Sequence, residues 1–548
     1  MSNIFDPNLL EYLGPHEFRR SIQRLLLQIG WDCFSVDGPG DGGGDLYAEN
    51  KFGERWIIQS KWRKNKPIQP NVIDEALNAF SRYDANAAII VTNQYLTSTA
   101  EKKLKNLQDS GYKVDCWNGE YLFDLAAKVV RNFPPKKLRD YQRDAIISIS
   151  ESLRLKKRSL LYMATGLGKT VVTGSIISTL IETKPNANIL VLAHMTVLTE
   201  QLQRALWQDI SFDVPSQLID GLNKPEKLMG LTVATNQSIL PYLECGYVPD
   251  LIVIDECHHI GESNNYAQIL QLLESVPVLG VTATPWRGDK YSIESFFGPP
   301  SFVCSIEQGM KNKYLAQVDY RLYCDNIDWL EVPNLSKYSY TIKQLNKKLF
   351  LPQRDETIVE RIIEAWADVV NPKCIVFCQS IQHAKNFHSL ITRYDLFRHA
   401  ELLHSEMDKN IRNLTLLNFR KSICPMLIAV DILNEGVDVP NVNIICFARV
   451  THSRKIFIQQ LGRGLRIAEE KDKVIVLDFA ADTRRLAAVK YLSDKVEDGE
   501  IEKLEMRHNK IHFSDLRAKK LIEEWIADAA DLETANDESY LQFPTFLE

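Results

Sequence analysis

The run Met163-Ala164-Thr165-Gly166-Leu167-Gly168-Lys169-Thr170 lies between the apolar residues 160–162 and the helix-forming residues 171–180. A strand, a glycine-rich turn and a helix in that order aim successive backbone N–H groups and a helix N-terminus at one point. Such a cradle suits a triphosphate. The backbone at Thr165, Gly166 and Gly168 surrounds it, Lys169 reaches its β and γ phosphates, and Thr170 ligates Mg²⁺. The strict form of this pattern begins with glycine, where this chain has Met163. A second stretch, Leu251-Ile-Val-Ile254, is a continuous apolar run of the buried parallel-strand type and ends in Asp255-Glu256-Cys257-His258. Two carboxylates at the carboxyl end of such a strand sit beside the phosphate cradle. Asp255 is placed to hold Mg²⁺, Glu256 to orient or deprotonate the attacking water, and His258 to sense the γ-phosphate. Val281-Thr282-Ala283-Thr284-Pro285 follows another apolar stretch and is suited to couple this site to a second lobe.

A different chemistry is written nearer the N-terminus. Asp45 follows a glycine-rich entry, and the strand Arg55 to Trp62 places Ile57, Gln59 and Lys61 on one face by its period of two. An aspartate with a neighbouring oxygen ligand holds Mg²⁺ at a phosphodiester, and an ammonium steadies the charge that develops. The residues Lys51, Arg55, Lys61, Arg63, Lys64 and Lys66, with Trp56 and Trp62 between them, read equally as a phosphate-tracking surface or a solvated hairpin rim.

The elements that must position these groups follow from periodicity. Phe18, Ile22, Leu25, Leu26 and Ile29 give an amphipathic helix over 17–29 with one buried face, followed by a short strand over 31–36. The glycines before Asp45 lead into a strand, so no helix N-terminus waits there for a dinucleotide. Residues 71–82 and 98–107 read as helices, and 87–92 and 113–117 as strands. Asn132-Phe-Pro-Pro-Lys-Lys137 is a stiff, basic joint, and Leu138-Arg139-Asp140-Tyr141-Gln142 then opens a helix ahead of the phosphate loop. The Gln142 amide can donate and accept, which suits the paired edge of adenine and favours ATP; Arg139 is counted with it at the nucleotide.

Composition bounds the rest. A chain of 548 residues is long enough for three or four domains. No apolar run approaches the length of a membrane span and no secretory leader is visible, so a cytoplasmic location is expected. The ten cysteines are scattered, as in reduced core thiols, and the net charge of −6 does not advertise nucleic acid by itself.

Residues 10 to 128 resemble the Mrr-type restriction endonucleases of the PD-(D/E)xK superfamily. The resemblance rests on the helix with Glu17, the Gly-Gly-Gly-Asp45 entry, the Ile-Ile-Gln59-Ser-Lys61 strand and the Ile-Ile-Val-Thr92 strand. It implies Asp45 as metal ligand, Gln59 where many relatives carry Glu, Lys61 as catalytic lysine and Glu17 as a further ligand. Residues 138 to about 485 resemble superfamily 2 helicases and translocases, in the branch with the motor subunits of type I and type III restriction enzymes, where Met163 is a usual spelling. Ile375-Val-Phe-Cys378, Asn434-Glu435-Gly436-Val437-Asp438 and Gln459-x-x-Gly462-Arg463-x-x-Arg466 carry this resemblance in the second half. It implies ATP between two RecA-like lobes, Arg463 and Arg466 as arginine fingers, and Gly436 and Asp438 in the motif that links nucleotide to the tracked strand.

The expected fold class is α/β. A PD-(D/E)xK nuclease-like domain (1–132) precedes two RecA-like lobes with doubly wound parallel sheets (138–300 and 355–485), joined by a connecting segment (301–354). A helical, acidic C-terminal region (486–548) follows. The expected function is ATP hydrolysis driving translocation or unwinding of double-stranded DNA, coupled to Mg²⁺-dependent endonuclease cleavage in a restriction or antiviral defence system, with a defence protein as candidate partner and no membrane. Gln59 removes one carboxylate, so the alternative is a DNA-stimulated ATPase whose N-terminal domain binds DNA without cutting and acts with a partner effector.

Overall fold

The computed structural model describes residues 4–6, 10, 14–36, 44–83, 85–129, 136–221, 223–261, 265–283, 293–323, 339–341, 344, 347, 355–430, 442–448, 473–479, 511–513 and 540–542. Arg463, Arg466, Gly436 and Asp438, and the Pro134-Pro135 joint, lie outside the described residues.

The N-terminal domain runs α1 (Pro15–Gln28), β1 (Asp32–Ser35), β2 (Leu46–Glu49), β3 (Arg55–Lys61), α2 (Asn71–Arg82), β4 (Ala87–Thr92), α3 (Ser98–Asp109), β5 (Val114–Trp117) and α4 (Gly119–Lys128). Its five strands lie in sequence order. β1, β2 and β3 are antiparallel, whereas β4 and β5 continue parallel to β3. Phe18, Ile22, Leu25 and Leu26 of α1 cover one face of this sheet against Leu46, Ile58, Ile89 and Val91. Val72, Ile73, Ala76 and Ala79 of α2 cover the other face against Ile57, Ala88 and Ile90. Trp56 and Trp62, placed among the basic residues by the sequence, turn inward. Trp56 meets Trp31 at 5.6 Å between ring centroids, and Trp62 Nε1 donates to the Leu10 carbonyl.

The first motor lobe contains α5 (Asp140–Lys156), β6 (Arg158–Met163), α6 (Lys169–Thr183), β7 (Ile189–Ala193), α7 (Thr196–Leu206), β8 (Ser216–Ile219), β9 (Leu231–Thr235), β10 (Leu251–Asp255), β11 (Val278–Thr282) and β12 (Phe302–Cys304). Its seven strands are all parallel in the order β12-β6-β11-β10-β7-β9-β8. Burial on both faces explains why β7 and β10 read as continuous apolar runs with no alternation.

The second lobe is another seven-stranded parallel sheet, in the order β16-β17-β15-β18-β19-β13-β20. It holds β13 (Gln317–Tyr323), β15 (Cys374–Cys378), β16 (Glu401–Leu403), β17 (Met426–Ala429), β18 (Ile444–Ala448), β19 (Lys473–Phe479) and β20 (Ile511–Phe513), with the helices α8 (Asp355–Ala367), α9 (Ile381–Ile391) and α10 (Lys409–Arg420). Two described strands of the segment 301–354 belong to the sheets on either side of it. β12 closes the edge of the first sheet and β13 lies inside the second, because each strand completes a parallel ladder that its own lobe leaves open. The described pieces of 486–548 are strands: β20 extends the second sheet, and β21 (Tyr540–Gln542) pairs antiparallel with β14 (Ser339–Thr341). Among the described residues no helix is long and apolar enough to cross a membrane.

Candidate active sites

The phosphate loop joins β6 to α6 with two glycines in the left-handed region, Gly166 at φ +91° and Gly168 at φ +94°. Gly168 caps α6, whose first residues are Lys169 and Thr170, so the unpaired N–H groups of the first turn face the loop. A Cβ at Gly168 would stand 2.6 Å from Gln142 Nε2. Gln142 donates that nitrogen to the Leu167 carbonyl at 2.9 Å and accepts the Arg139 N–H at 3.0 Å. The amide that the sequence assigns to adenine also braces the phosphate loop. Tyr141 supports the same carbonyl, its hydroxyl donating to Leu167 O at 2.8 Å, and Arg139 Nη1 donates to the Tyr314 carbonyl. Sequence reasoning passed over Tyr141 and Tyr314, whose rings lie 4.3 Å apart, since nothing local marks an aromatic pair separated by that much chain.

The acids arrive from β10, which neighbours β11 and β7 in the sheet. Lys169 Nζ lies 3.0 Å from Glu256 Oε1, across a sequence separation of 87. On the other side, His258 Nδ1 is 3.3 Å from Glu256 Oε2 and 2.9 Å from Thr282 Oγ1. Glu256 is held at φ +47°, a left-handed conformation that is costly for a side chain with a Cβ and is typical of functional turns. Burial opposes its charge, but the Lys169 ammonium and His258 outweigh that and hold its carboxyl well below the usual range. Asp255 is pushed up to about 6 by burial, and next by the neighbouring Glu256 charge. A buried carboxylate whose desolvation outweighs the nearby Lys169 charge, beside a helix N-terminus, fits a magnesium-triphosphate group.

The nuclease constellation is divided among different partners. Asp45 precedes β2, and its Oδ2 accepts from the Ser60 N–H at 2.6 Å and the Ser60 hydroxyl at 3.0 Å. Arg19 of α1, which the sequence reading did not single out, lies 3.4 Å from Asp45 Oδ1. Gln59 is 3% exposed, and its Oε1 has no hydrogen-bond partner among the described residues. An orphaned buried acceptor one ladder position from a carboxylate fits a hard cation, which takes oxygen ligands. Lys61 Nζ lies 2.7 Å from Glu75 Oε2 on α2.

Glu17, expected at this metal, is elsewhere. It is fully buried, and its Oε1 accepts from the Leu218 N–H at 3.1 Å and from Asn223 Nδ2 at 2.5 Å, both in the first motor lobe. The reason is that α1 has two buried faces. Its polar side packs on the motor: Arg24 donates to the carbonyls of Val214 and Ser211 at 2.6 Å each, and Arg20 donates to Gln203 Oε1. Their guanidinium groups also lie 5.3 Å from the Phe212 ring and 5.0 Å from the Trp207 ring. The second lobe touches the same domain, with Lys421 paired to Glu49 and Leu417 entering the cluster under α2. Phe34 of β1 has the Arg204 guanidinium of the first lobe 4.5 Å from its ring and that of Arg420 of the second at 5.7 Å.

Three family models match: a restriction endonuclease catalytic domain of the Mrr kind at 10–126, the type III restriction enzyme res subunit at 135–287, and the helicase conserved C-terminal domain at 355–468. The chain carries an N-terminal restriction endonuclease domain of the Mrr kind followed by the domains of a helicase-type motor related to restriction enzyme subunits. Among its curated relatives is the type I restriction enzyme EcoAI endonuclease subunit of Escherichia coli. It is 27% identical over 406 residues, which cover 66% of this chain and 49% of the relative. The DNA 3'-5' translocase XPB2 of Sulfurisphaera tokodaii is 27% identical over 382 residues, covering 62% of this chain and 80% of the relative. The motor spans about half the length of the first curated relatives that it matches. Among solved structures, Saccharomyces cerevisiae Dbp5 bound to Gle1 and IP6 superposes with TM-score 0.50 at 13% identity, over 72% of this chain and 94% of that one. That likeness concerns the fold of the two lobes.

Proposed function

We propose that this helicase-type motor hydrolyses ATP to translocate on double-stranded DNA and that its Mrr-type domain cleaves DNA with Mg²⁺, in a cytoplasmic restriction or antiviral defence system. The observation that carries the motor half is the Lys169–Glu256 pair at 3.0 Å, at the carboxyl end of a wholly parallel sheet. A triphosphate brings several negative charges against the single one of Glu256, so Lys169 transfers to the phosphates on binding. Glu256 is then free to orient the attacking water, while His258 keeps it aligned and passes its position to Thr282. Asp255 and Thr170 hold Mg²⁺, which supplies charge neutralisation at the phosphates. Arg463 and Arg466 bring positive charge from the second lobe, and Gly436 and Asp438 link that lobe's nucleotide contacts to DNA.

In the nuclease, Asp45 and Gln59 hold the cation and Lys61 steadies the phosphate that is cut. The exposed Arg63, Lys64 and Lys66 lie within five residues of Lys61 and track the backbone. The test uses plasmid and phage-derived DNA with Mg²⁺ or Mn²⁺ and ATP. Wild type is expected to cut, while Asp45→Ala abolishes cleavage, Lys61→Ala slows it about a hundredfold, and both retain DNA-stimulated ATP hydrolysis. Equal cutting by wild type and Asp45→Ala would remove the catalytic role. One observation favours the second reading, a domain that binds DNA without cutting and acts with a defence partner: Gln59 brings no charge to the site, and Asp45 is already engaged by Ser60 and Arg19. Wild type that binds DNA but cuts none would establish it.

A further inference from the structure

Lys61 ends β3 as a long side chain, and a lysine free at that point would sample many rotamers. It is instead paired, with Nζ 2.7 Å from Glu75 Oε2. Asn71, one turn earlier on α2, donates Nδ2 to the other carboxylate oxygen of Glu75 at 3.2 Å. The carboxylate is therefore engaged on both oxygens. Its backbone is equally fixed, because Val72, Ile73, Ala76 and Ala79 seat α2 on the sheet that carries Ile57 and Lys61. The pair is only partly open to solvent, at 21% for Lys61 and 35% for Glu75.

We propose that Glu75 is a positioning residue of the nuclease centre: it holds the Lys61 ammonium at the end of β3, ready for the scissile phosphate. This inference rests on the nuclease reading above. An ammonium carries three N–H donors, and Glu75 takes one direction, leaving the others for phosphate and water. Restricting Lys61 before DNA arrives removes the ordering step from the reaction, which is the advantage of a preorganised charge. The site needs this more than one with two acids would. Gln59 adds no charge to draw the lysine inward, so an acid from the adjacent helix takes over that task.

The experiment is a double-mutant cycle on the full chain with plasmid DNA, Mg²⁺ or Mn²⁺ and ATP. Glu75→Ala is expected to lower kcat for cleavage about tenfold with KM within about twofold, and Glu75→Gln, which keeps an acceptor for the ammonium, to lose about threefold. In a Lys61→Ala background, Glu75→Ala adds no further loss, because the group it positions is gone. Full cutting by Glu75→Ala, or a loss that multiplies with that of Lys61→Ala, overturns the proposal. If wild type cuts no DNA, the same cycle is read on affinity for a short duplex in Ca²⁺. Coupling there keeps Glu75 as the holder of Lys61 and overturns the nuclease reading, whereas independent effects overturn the assignment of Glu75.

Discussion

Glu17 in the nuclease domain and Asn223 in the first motor lobe share a hydrogen bond of 2.5 Å in a fully buried setting, although 206 residues separate them. The contact makes Glu17 an anchor of the domain interface. Burial raises its carboxyl to about 7 from an unfolded value of 4.5, against the lowering effect of the Leu218 and Asn223 hydrogen bonds. Between those values the folded chain binds one more proton than the unfolded chain. The contribution to stability is therefore full below pH 4.5, falls as pH rises towards 7 and is lost above it. Glu17→Gln keeps an acceptor without the charge. It should flatten this pH dependence and raise stability at pH 8 by up to about 3 kcal/mol, read from denaturant unfolding across pH.

Arg24→Ala should weaken the same interface by a different route. It strips the donors from the Val214 and Ser211 carbonyls and the cation from the Phe212 ring, at a cost of about 2–4 kcal/mol. Limited proteolysis should then release the N-terminal domain from a motor that stays folded. An unchanged digestion pattern would count against the interface.

Lys169→Ala and Glu256→Gln should both abolish ATP hydrolysis, but the first by weakening nucleotide binding and the second with binding retained. Equilibrium binding of a fluorescent ATP analogue separates them. Wild-type turnover in either variant would refute the site.

Gly168→Ala combines two penalties. The residue must keep φ +94°, which costs a side chain roughly 1–2 kcal/mol, and its Cβ would meet Gln142 Nε2 at 2.6 Å. ATP affinity should fall at least about tenfold. Adding Gln142→Ala should recover only part of it, since the backbone penalty remains.

Arg466→Ala should leave ATP affinity close to wild type and lower turnover on the order of a thousandfold, because a finger acts on charge that develops in the transition state. Loss of binding would instead make Arg466 a ground-state ligand.

The sequence by itself determined the elements of the N-terminal domain and those that flank the phosphate loop, and it pointed to the motor chemistry. Continuous apolar runs such as 251–254, short and rich in β-branched residues, read as strands covered on both faces, and glycines at 166 and 168 between strand and helix suit a phosphate cradle. The order of Lys169, Asp255, Glu256 and His258 along the chain is enough to propose an ATP site, since each sits at an element end whose direction the periodicity sets. Tertiary structure alone decided where the polar groups of α1 go. Periodicity reports which face is apolar, but it cannot report that Glu17, Arg20 and Arg24 are buried too. Their hydrogen-bond partners lie some two hundred residues downstream and have ordinary local sequences. The same holds for Gln142, whose amide proved to brace Leu167, and for Lys61, whose acid comes from the next helix. Strand ownership was likewise hidden. β13 completes the second sheet and β12 the first, because a parallel ladder is closed by whichever strand reaches its open edge, and that depends on the path of the chain in space.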